Sequence, residues 1–345
     1  MLRRIISFTA VVMLASCVVF AAERKQGEVW TDTDGNMINA HGGGIMYHDG
    51  MYYWYGECKG DVTYRSPNIG WECYRTDTGG VTCYSSRDLK DWKFEGVVLQ
   101  PDTTNHRSDI HPTMVIERPK VIYNDRTGKF VMWMHIDSPT YNYARGGVAV
   151  SDSPTGPFRF IRSERPNGAE CRDMTLFKED DGTAYHIYSS EGNSTIYISR
   201  LSDDYLSHSG VYSIALKNRS REAPAIFKHN GKYFMVTSGC TGWSPNEAEY
   251  AVASSIMGPW KTLGNPCYGK DADKTFYGQS TYVVPVANGS ETSHIIMFDR
   301  WNKKNLVDSR YIWLPVSIDG DIVRINWQDD VPTAQGWSLT DRIGD

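Results

Sequence analysis

The sequence predicts an all-β fold, a five-bladed β-propeller, from two patterns that recur along it. The first is a hairpin. Tyr47-His48-Asp49-Gly50-Met51-Tyr52-Tyr53-Trp54, Tyr123-Asn124-Asp125-Arg126-Thr127-Gly128-Lys129-Phe130-Val131-Met132-Trp133, Lys178-Glu179-Asp180-Asp181-Gly182-Thr183-Ala184-Tyr185 and Ala225-Ile226-Phe227-Lys228-His229-Asn230-Gly231-Lys232-Tyr233-Phe234 each join two short strands, mostly through an Asp-Gly or Asn-Gly turn. A weaker fifth copy, Ser293 to Trp301, follows the polar Asn288-Gly289-Ser290. The second pattern is a polar loop at Asp88-Leu89-Lys90-Asp91-Trp92, Ser153-Pro154-Thr155-Gly156-Pro157-Phe158 and Ser255-Ile256-Met257-Gly258-Pro259-Trp260, expected between outer strands. A unit of short strands returning every ~50 to 75 residues cannot bury both faces alone, so the copies must stack about an axis. That arrangement brings the starts of the innermost strands around a central channel.

In chain order, the first element is a leader. Met1-Leu2-Arg3-Arg4, the apolar run Ile5 to Phe20 and the small residues Ala21-Ala22 read as a signal peptide over 1–22, with the mature chain starting near Glu23. Leu14-Ala15-Ser16-Cys17 resembles a lipoprotein signal, although Val18-Val19-Phe20 continue the apolar run past it, so simple secretion and a lipid anchor on Cys17 both stay open. The expected location is outside the cytoplasm of a bacterium: secreted, periplasmic or in the cell envelope, an outer-membrane lipoprotein included. No later apolar run approaches the ~18 residues that a transmembrane span needs. Residues 23–345 contain no long Pro/Ser linker and read as one propeller domain.

Composition narrows the function. Aromatic residues make up 12% of the chain, with 21 Tyr and 11 Trp, against a net charge of −5. Lys and Arg are scattered among Asp and Glu, which excludes the concentrated basic face that nucleic-acid binding requires. Beyond Cys17 there are six cysteines, with no Cys-x-x-Cys, so a zinc or redox site is not expected. An oxidising compartment allows bridges, and Cys58 with Cys73 or Cys83 is the pairing to test, because all three flank one long first-blade loop.

Three acids stand just ahead of apolar strands in successive blades: Glu117 in Ile116-Glu117-Arg118-Pro119-Lys120, Asp173 in Arg172-Asp173-Met174-Thr175, and Glu222 in Arg221-Glu222-Ala223-Pro224. Each taken alone is accounted for by a salt bridge to its neighbouring Arg. Together, at the same phase of three blades, they converge on the axis. Clustered carboxylates raise the proton affinity of at least one, and a carboxylic acid kept protonated near neutral pH can donate to a glycosidic oxygen.

These repeats and acidic strand starts resemble glycoside hydrolase family 43, across nearly the whole mature chain. Asn39-Ala40-His41-Gly42-Gly43-Gly44, Glu117-Arg118-Pro119-Lys120, Arg172-Asp173-Met174-Thr175, Ser238-Gly239-Cys240-Thr241-Gly242-Trp243, Gly278-Gln279-Ser280-Thr281-Tyr282 and Asp299-Arg300-Trp301 are similar to its exo-β-1,3-galactanase (galactan 1,3-β-galactosidase) branch. The resemblance implies an inverting release of terminal galactose from β-1,3-galactan, the arabinogalactan backbone. Glu222 would be the general acid, Asp173 would tune and orient it, and Glu117 would bind the sugar and help hold the water. Glu57, Tyr141, Thr241 and Trp243 would contact substrate. The chain departs from the wider family where His41-Gly42-Gly43-Gly44 offers no first-blade Asp as base; in this branch a last-blade Gln is thought to take that part, here Gln279, although an amide is a poor base. Tyr141, Tyr143 and Trp243 lie in loops where an aromatic face can stack on a sugar ring, core packing being the alternative. The resemblance requires no cofactor and admits a structural Ca²⁺; His111 and His135 are read as hydrogen-bonding residues and no metal ligand is assigned. An α-L-arabinofuranosidase or β-xylosidase of the same fold, or a non-catalytic glycan-binding propeller, are the alternatives.

Overall fold

The computed structural model describes residues 24–66, 70–288 and 291–334. The leader and Cys17 lie outside the described residues, as do Gly289 and Ser290. Five sheets form the five blades, each a meander running outward from the axis. Blade 1 comprises His41–His48, Met51–Lys59, Thr78–Ser86 and Lys93–Leu99; blade 2 comprises Val115–Asn124, Lys129–Asp137, Arg145–Ser151 and Arg159–Glu164. Blade 3 runs through Met174–Lys178, Ala184–Ser190, Thr195–Leu201 and His208–Ala215, and blade 4 through Arg221–His229, Lys232–Gly239, Glu249–Ala253 and Lys261–Gly264. Blade 5 is built of Gln279–Asn288, Glu291–Arg300, Arg310–Asp319 and Ile322–Asn326, with Cys267–Tyr268 added in parallel on its outer edge. The recurring hairpins are the first two strands of each blade, and the recurring polar loops join the outer two.

Burial follows from this stacking. A second strand is covered by a neighbouring blade on each face, so Phe130 to Asp137 is buried without alternation, whereas the outer His208–Ala215 is mostly exposed. Five apolar clusters fill the five blade interfaces. The one between blades 5 and 1 is aromatic, with Trp54 4.9 Å from Trp313 and Trp30 5.1 Å from Trp313, ring centre to centre. The ring closes there: Gln26 accepts from the Trp313 amide at 2.8 Å, and Gly27 donates to the Tyr311 carbonyl at 2.9 Å.

The described cysteines are all free, so Cys58 is bridged to neither Cys73 nor Cys83. Cys83 faces the blade 1–blade 2 cluster with Tyr55 and Val81, while Cys58 Sγ accepts from Asn39 Nδ2 at 3.8 Å, so the two thiols serve different surroundings.

The innermost strands of four blades break register at their starts, between His41 and Gly44, Glu117 and Lys120, Glu222 and Ala225, and Ser280 and Tyr282. Gly42, Arg118 and Ala223 take left-handed backbone there, at φ 59, 58 and 53°. For Arg118 and Ala223 this costs roughly 1–2 kcal/mol each. The return is directional: a bulge re-aims the adjoining side chain, here toward the axis.

Candidate active site

A cavity of about 580 Å³ opens at the axis where these bulges converge. Glu117, Asp173, Glu222, Gln279, Glu57, Tyr141 and Trp243 all line it. The arginine beside each acid is not its partner. Arg172 turns to Asp137 and Glu170, and Arg221 to Thr237. Asp173 is paired instead with Arg118 of blade 2, 3.0 Å away, so the expectation of a structural pair with Arg172 is corrected. The left-handed turn at Arg118 sends its guanidinium across the axis, where Nη2 also reaches Gln279 Oε1 at 2.5 Å and Nη1 the Ser280 carbonyl at 2.9 Å.

Glu222 is held at both oxygens. Gln279 Nε2 donates to Oε1 and Asn193 Nδ2 to Oε2, each at 3.0 Å. Burial, then the charge of Asp173, raise its pKa to about 8, against the opposing charge of Arg118. Glu222 is therefore a carboxylic acid at neutral pH.

Glu117 goes the other way. Burial pushes it up, but the hydrogen bond and charge of His135, the charge of Lys59 and the Tyr141 hydroxyl outweigh that and hold it at about 2. Tyr141 donates to Oε1 at 2.6 Å; His135 Nδ1 lies 3.2 Å from Oε2 and its Nε2 2.9 Å from Asp137. Burial would discharge this imidazole, yet carboxylates at both nitrogens raise it to about 9, leaving an imidazolium.

Gln279 has no spare capacity. Its oxygen accepts from Arg118 and from Trp301 Nε1 at 2.9 Å, and its amide donates to Glu222 and to Ser238 Oγ at 3.0 Å. Two acceptor and two donor positions exhaust an amide. In this geometry Gln279 orients the acid and has no lone pair for a water's proton.

A carboxylate does enter from blade 1, by a different strand. A Cβ placed on Gly42 would lie 2.0 Å from Glu57 Oε1, so the second-strand Glu57 occupies the space beside the first strand. The Arg118 amide donates to that oxygen at 2.9 Å, and Lys59 pairs with the other.

Two expected contacts are not brought in. Thr241 is outside the lining; its hydroxyl donates to the Ser244 carbonyl at 2.6 Å and accepts from Asn246, closing the loop that presents Trp243. Tyr143 packs on the apolar cluster between blades 1 and 2, with the Arg145 guanidinium 4.3 Å above its ring. Two residues of the long first-blade loop stand at the site: Trp71 lines the cavity, its ring 5.6 Å from that of Tyr141, and the Glu72 carbonyl accepts from Trp243 Nε1 at 2.7 Å. Sequence reasoning missed Arg118, Asn193 and Trp301 as site residues. Arg118 and Trp301 stood inside motifs already singled out, whereas Asn193 is a turn residue with no pattern to mark it.

Glu117, His135 and Asp173 bring one donor atom each within 4.8 Å of one another. This set does not fit Ca²⁺, which takes six to eight oxygens, because both nitrogens of His135 are already engaged and its charge, with Lys59 and Arg118, answers the carboxylates.

The model of glycosyl hydrolases family 43 matches residues 44–284. Comparison with curated proteins gave no match. Among solved structures, a family 43 β-1,3-galactosidase with galactodeoxynojirimycin is 46% identical, with a TM-score of 0.82 over 89% of this chain and 99% of that one. The exo-β-1,3-galactanase of Phanerochaete chrysosporium with galactose is 36% identical, with a TM-score of 0.77 over 88% of this chain and 66% of that one. An exo-β-1,3-galactanase from Clostridium thermocellum is 35% identical, with a TM-score of 0.78 over 89% and 67%. At that identity and over that span, the chain belongs to glycosyl hydrolases family 43 and is a glycosidase.

Proposed function

We propose that this glycosidase removes terminal galactose from β-1,3-galactan, the backbone of arabinogalactan, with inversion at the anomeric carbon. The observation that carries the mechanism is Glu222: a protonated acid, fixed by Gln279 and Asn193 on the wall of a cavity that it shares with Asp173 and Arg118. It donates its proton to the glycosidic oxygen as the bond breaks. Asp173 keeps that proton in place by its charge, and Arg118 keeps Asp173 in place. An inverting enzyme needs a second group for the attacking water. With the lone pairs of Gln279 engaged, Glu117 is the better candidate to hold and orient that water, since each of its oxygens has one protein donor and a lone pair to spare, although at a pKa of about 2 it is a weak proton acceptor. Glu57, Tyr141 and Trp243 would hold the sugar. The galactose specificity rests on the solved relatives, whose names carry β-1,3-galactosidase or exo-β-1,3-galactanase activity. The leader sequence supports export, as a secreted or envelope protein, with Cys17 offering a lipid anchor.

The test is proton NMR of the first products from β-1,3-galactan. Initial α-galactose from wild type and none from Glu222→Gln is expected. Initial β-galactose would overturn inversion; pentose release from arabinan or xylan, with galactan untouched, would overturn the substrate.

A further inference from the structure

Directly beneath the site, Lys120 lies wholly inside the channel, 1% exposed, and among the described residues no carboxylate pairs with it. Its Nζ donates to the Gly42 carbonyl at 2.8 Å and the Arg118 carbonyl at 3.3 Å, and lies 3.5 Å from Thr281 Oγ1, so it ties blades 2, 1 and 5 together at the axis. Gly42 and Arg118 are the two left-handed residues whose amides hold the blade-5 and blade-1 acids: Gly42 N donates to Asp299 Oδ2 at 3.0 Å and Arg118 N to Glu57 Oε1 at 2.9 Å. Each of these residues is thus fixed by a carboxylate at its N–H and by one shared lysine at its C=O.

An unpaired ammonium in such a place is costly to the fold. Burial and the nearby Arg118 charge press its pKa well down, against the charges of Glu57, Asp173 and Asp299, and only its hydrogen bonds to buried carbonyls offset that cost. Apolar packing alone therefore gives no reason for a lysine here. Function does: Arg118 sets both Asp173 and Gln279, and through them Glu222, and the direction of its guanidinium depends on a strained bulge that needs its carbonyl satisfied.

We propose that Lys120 is a positioning residue for the glycosidase reaction, acting from below the pocket by locking the bulges at Gly42 and Arg118 so that Arg118 aligns Asp173 and Gln279 about the acid. It touches no substrate. The inference rests on the proposed roles of Glu222 and Arg118, so wild-type galactose release from β-1,3-galactan is measured first; its absence would defeat that reading and, with it, a positioning role for Lys120 in that reaction.

With wild type active, Lys120→Met is compared with it for melting temperature, kcat and KM. Methionine keeps the stem that packs against Gly44, where a Cβ would lie 2.7 Å from Lys120 Cδ. The expected result is a folded protein with a melting temperature somewhat lowered by the two buried carbonyls left without a donor, KM within about 3-fold and kcat reduced about 100-fold, the scale of a small misplacement of catalytic groups. A folded variant with kcat within about 3-fold of wild type would overturn the proposal, as would a loss confined to KM. Thr281→Val covers the case in which methionine does not fold. It removes the third oxygen and the hydroxyl that donates to the Gly43 carbonyl at 2.7 Å, and is expected to lower kcat about 10-fold at unchanged KM; unchanged kcat would count against the proposal.

Discussion

Gln279 donates from Nε2 to Glu222 Oε1 at 3.0 Å, which makes the blade-5 amide a partner of the acid on blade 4. Its oxygen is occupied by Arg118 and Trp301, so its contribution is to orient Glu222. Gln279→Ala is expected to lower kcat about 100-fold, the cost of losing an oriented proton donor. Gln279→Glu separates this role from that of a base. Its carboxylate can still accept from Arg118 and Trp301 but cannot donate to Glu222, so its kcat is expected to stay below wild type; a kcat at or above wild type would assign Gln279 the base role.

Glu222 must carry its proton to act, and its pKa is raised to about 8. The sign is set by the acid form: kcat/KM holds below that value and falls as pH rises through it. Glu222→Gln is expected to lose about 1,000-fold in kcat on galactan and to lose the basic limb with it, while galactotriose still binds by calorimetry. An aryl β-galactoside whose leaving group needs no proton should recover much of the lost rate. An unchanged basic limb in the variant would assign that titration elsewhere.

The same shift has a consequence for stability. A carboxyl whose folded pKa lies above its ordinary 4.5 contributes stability that is full below 4.5 and is lost as pH rises toward 8. Glu222→Gln should therefore melt higher than wild type at pH 9 and by a smaller margin at pH 5. His135, raised from 6.5 to about 9, also loses its contribution upward, so both proteins decline together between those two values. Melting curves at the two pH values check this; an equal difference at both would show that Glu222 is not the group responsible.

The sequence carried the fold because the fold is repetitive: Asp-Gly and Asn-Gly turns mark the inner hairpins, and the Ser-Pro-Thr-Gly-Pro and Ser-Ile-Met-Gly-Pro loops mark the outer strands. Phase along the blades also brought Glu117, Asp173 and Glu222 together before any coordinates. Pairing across the axis was not legible. Arg172 and Arg221 sit beside acids in the chain, yet alternation in an extended strand turns neighbours to opposite faces, and the arginine that matters, Arg118, arrives from another blade through a left-handed turn. Glu57 was found by resemblance, but its place against Gly42 follows from second-strand geometry, which no local pattern encodes.

Gly42 turns that geometry into a last prediction. Its φ of 59° favours glycine, and the position of a Cβ is filled by Glu57 Oε1 at 2.0 Å. Gly42→Asp restores a first-blade carboxylate of the wider family's kind, and if such a group were all that the site lacked, activity would hold or rise. The structure argues the opposite. Any side chain there must drive Glu57 from the Arg118 amide and strain the bulge that carries the Gly42 carbonyl. Gly42→Asp and Gly42→Ala are both expected to lose about 100-fold or more in kcat/KM. Glu57→Ala in the Gly42→Ala background should add little further loss, because the two changes act on one contact. Full additivity of the losses would show that Gly42 and Glu57 act independently.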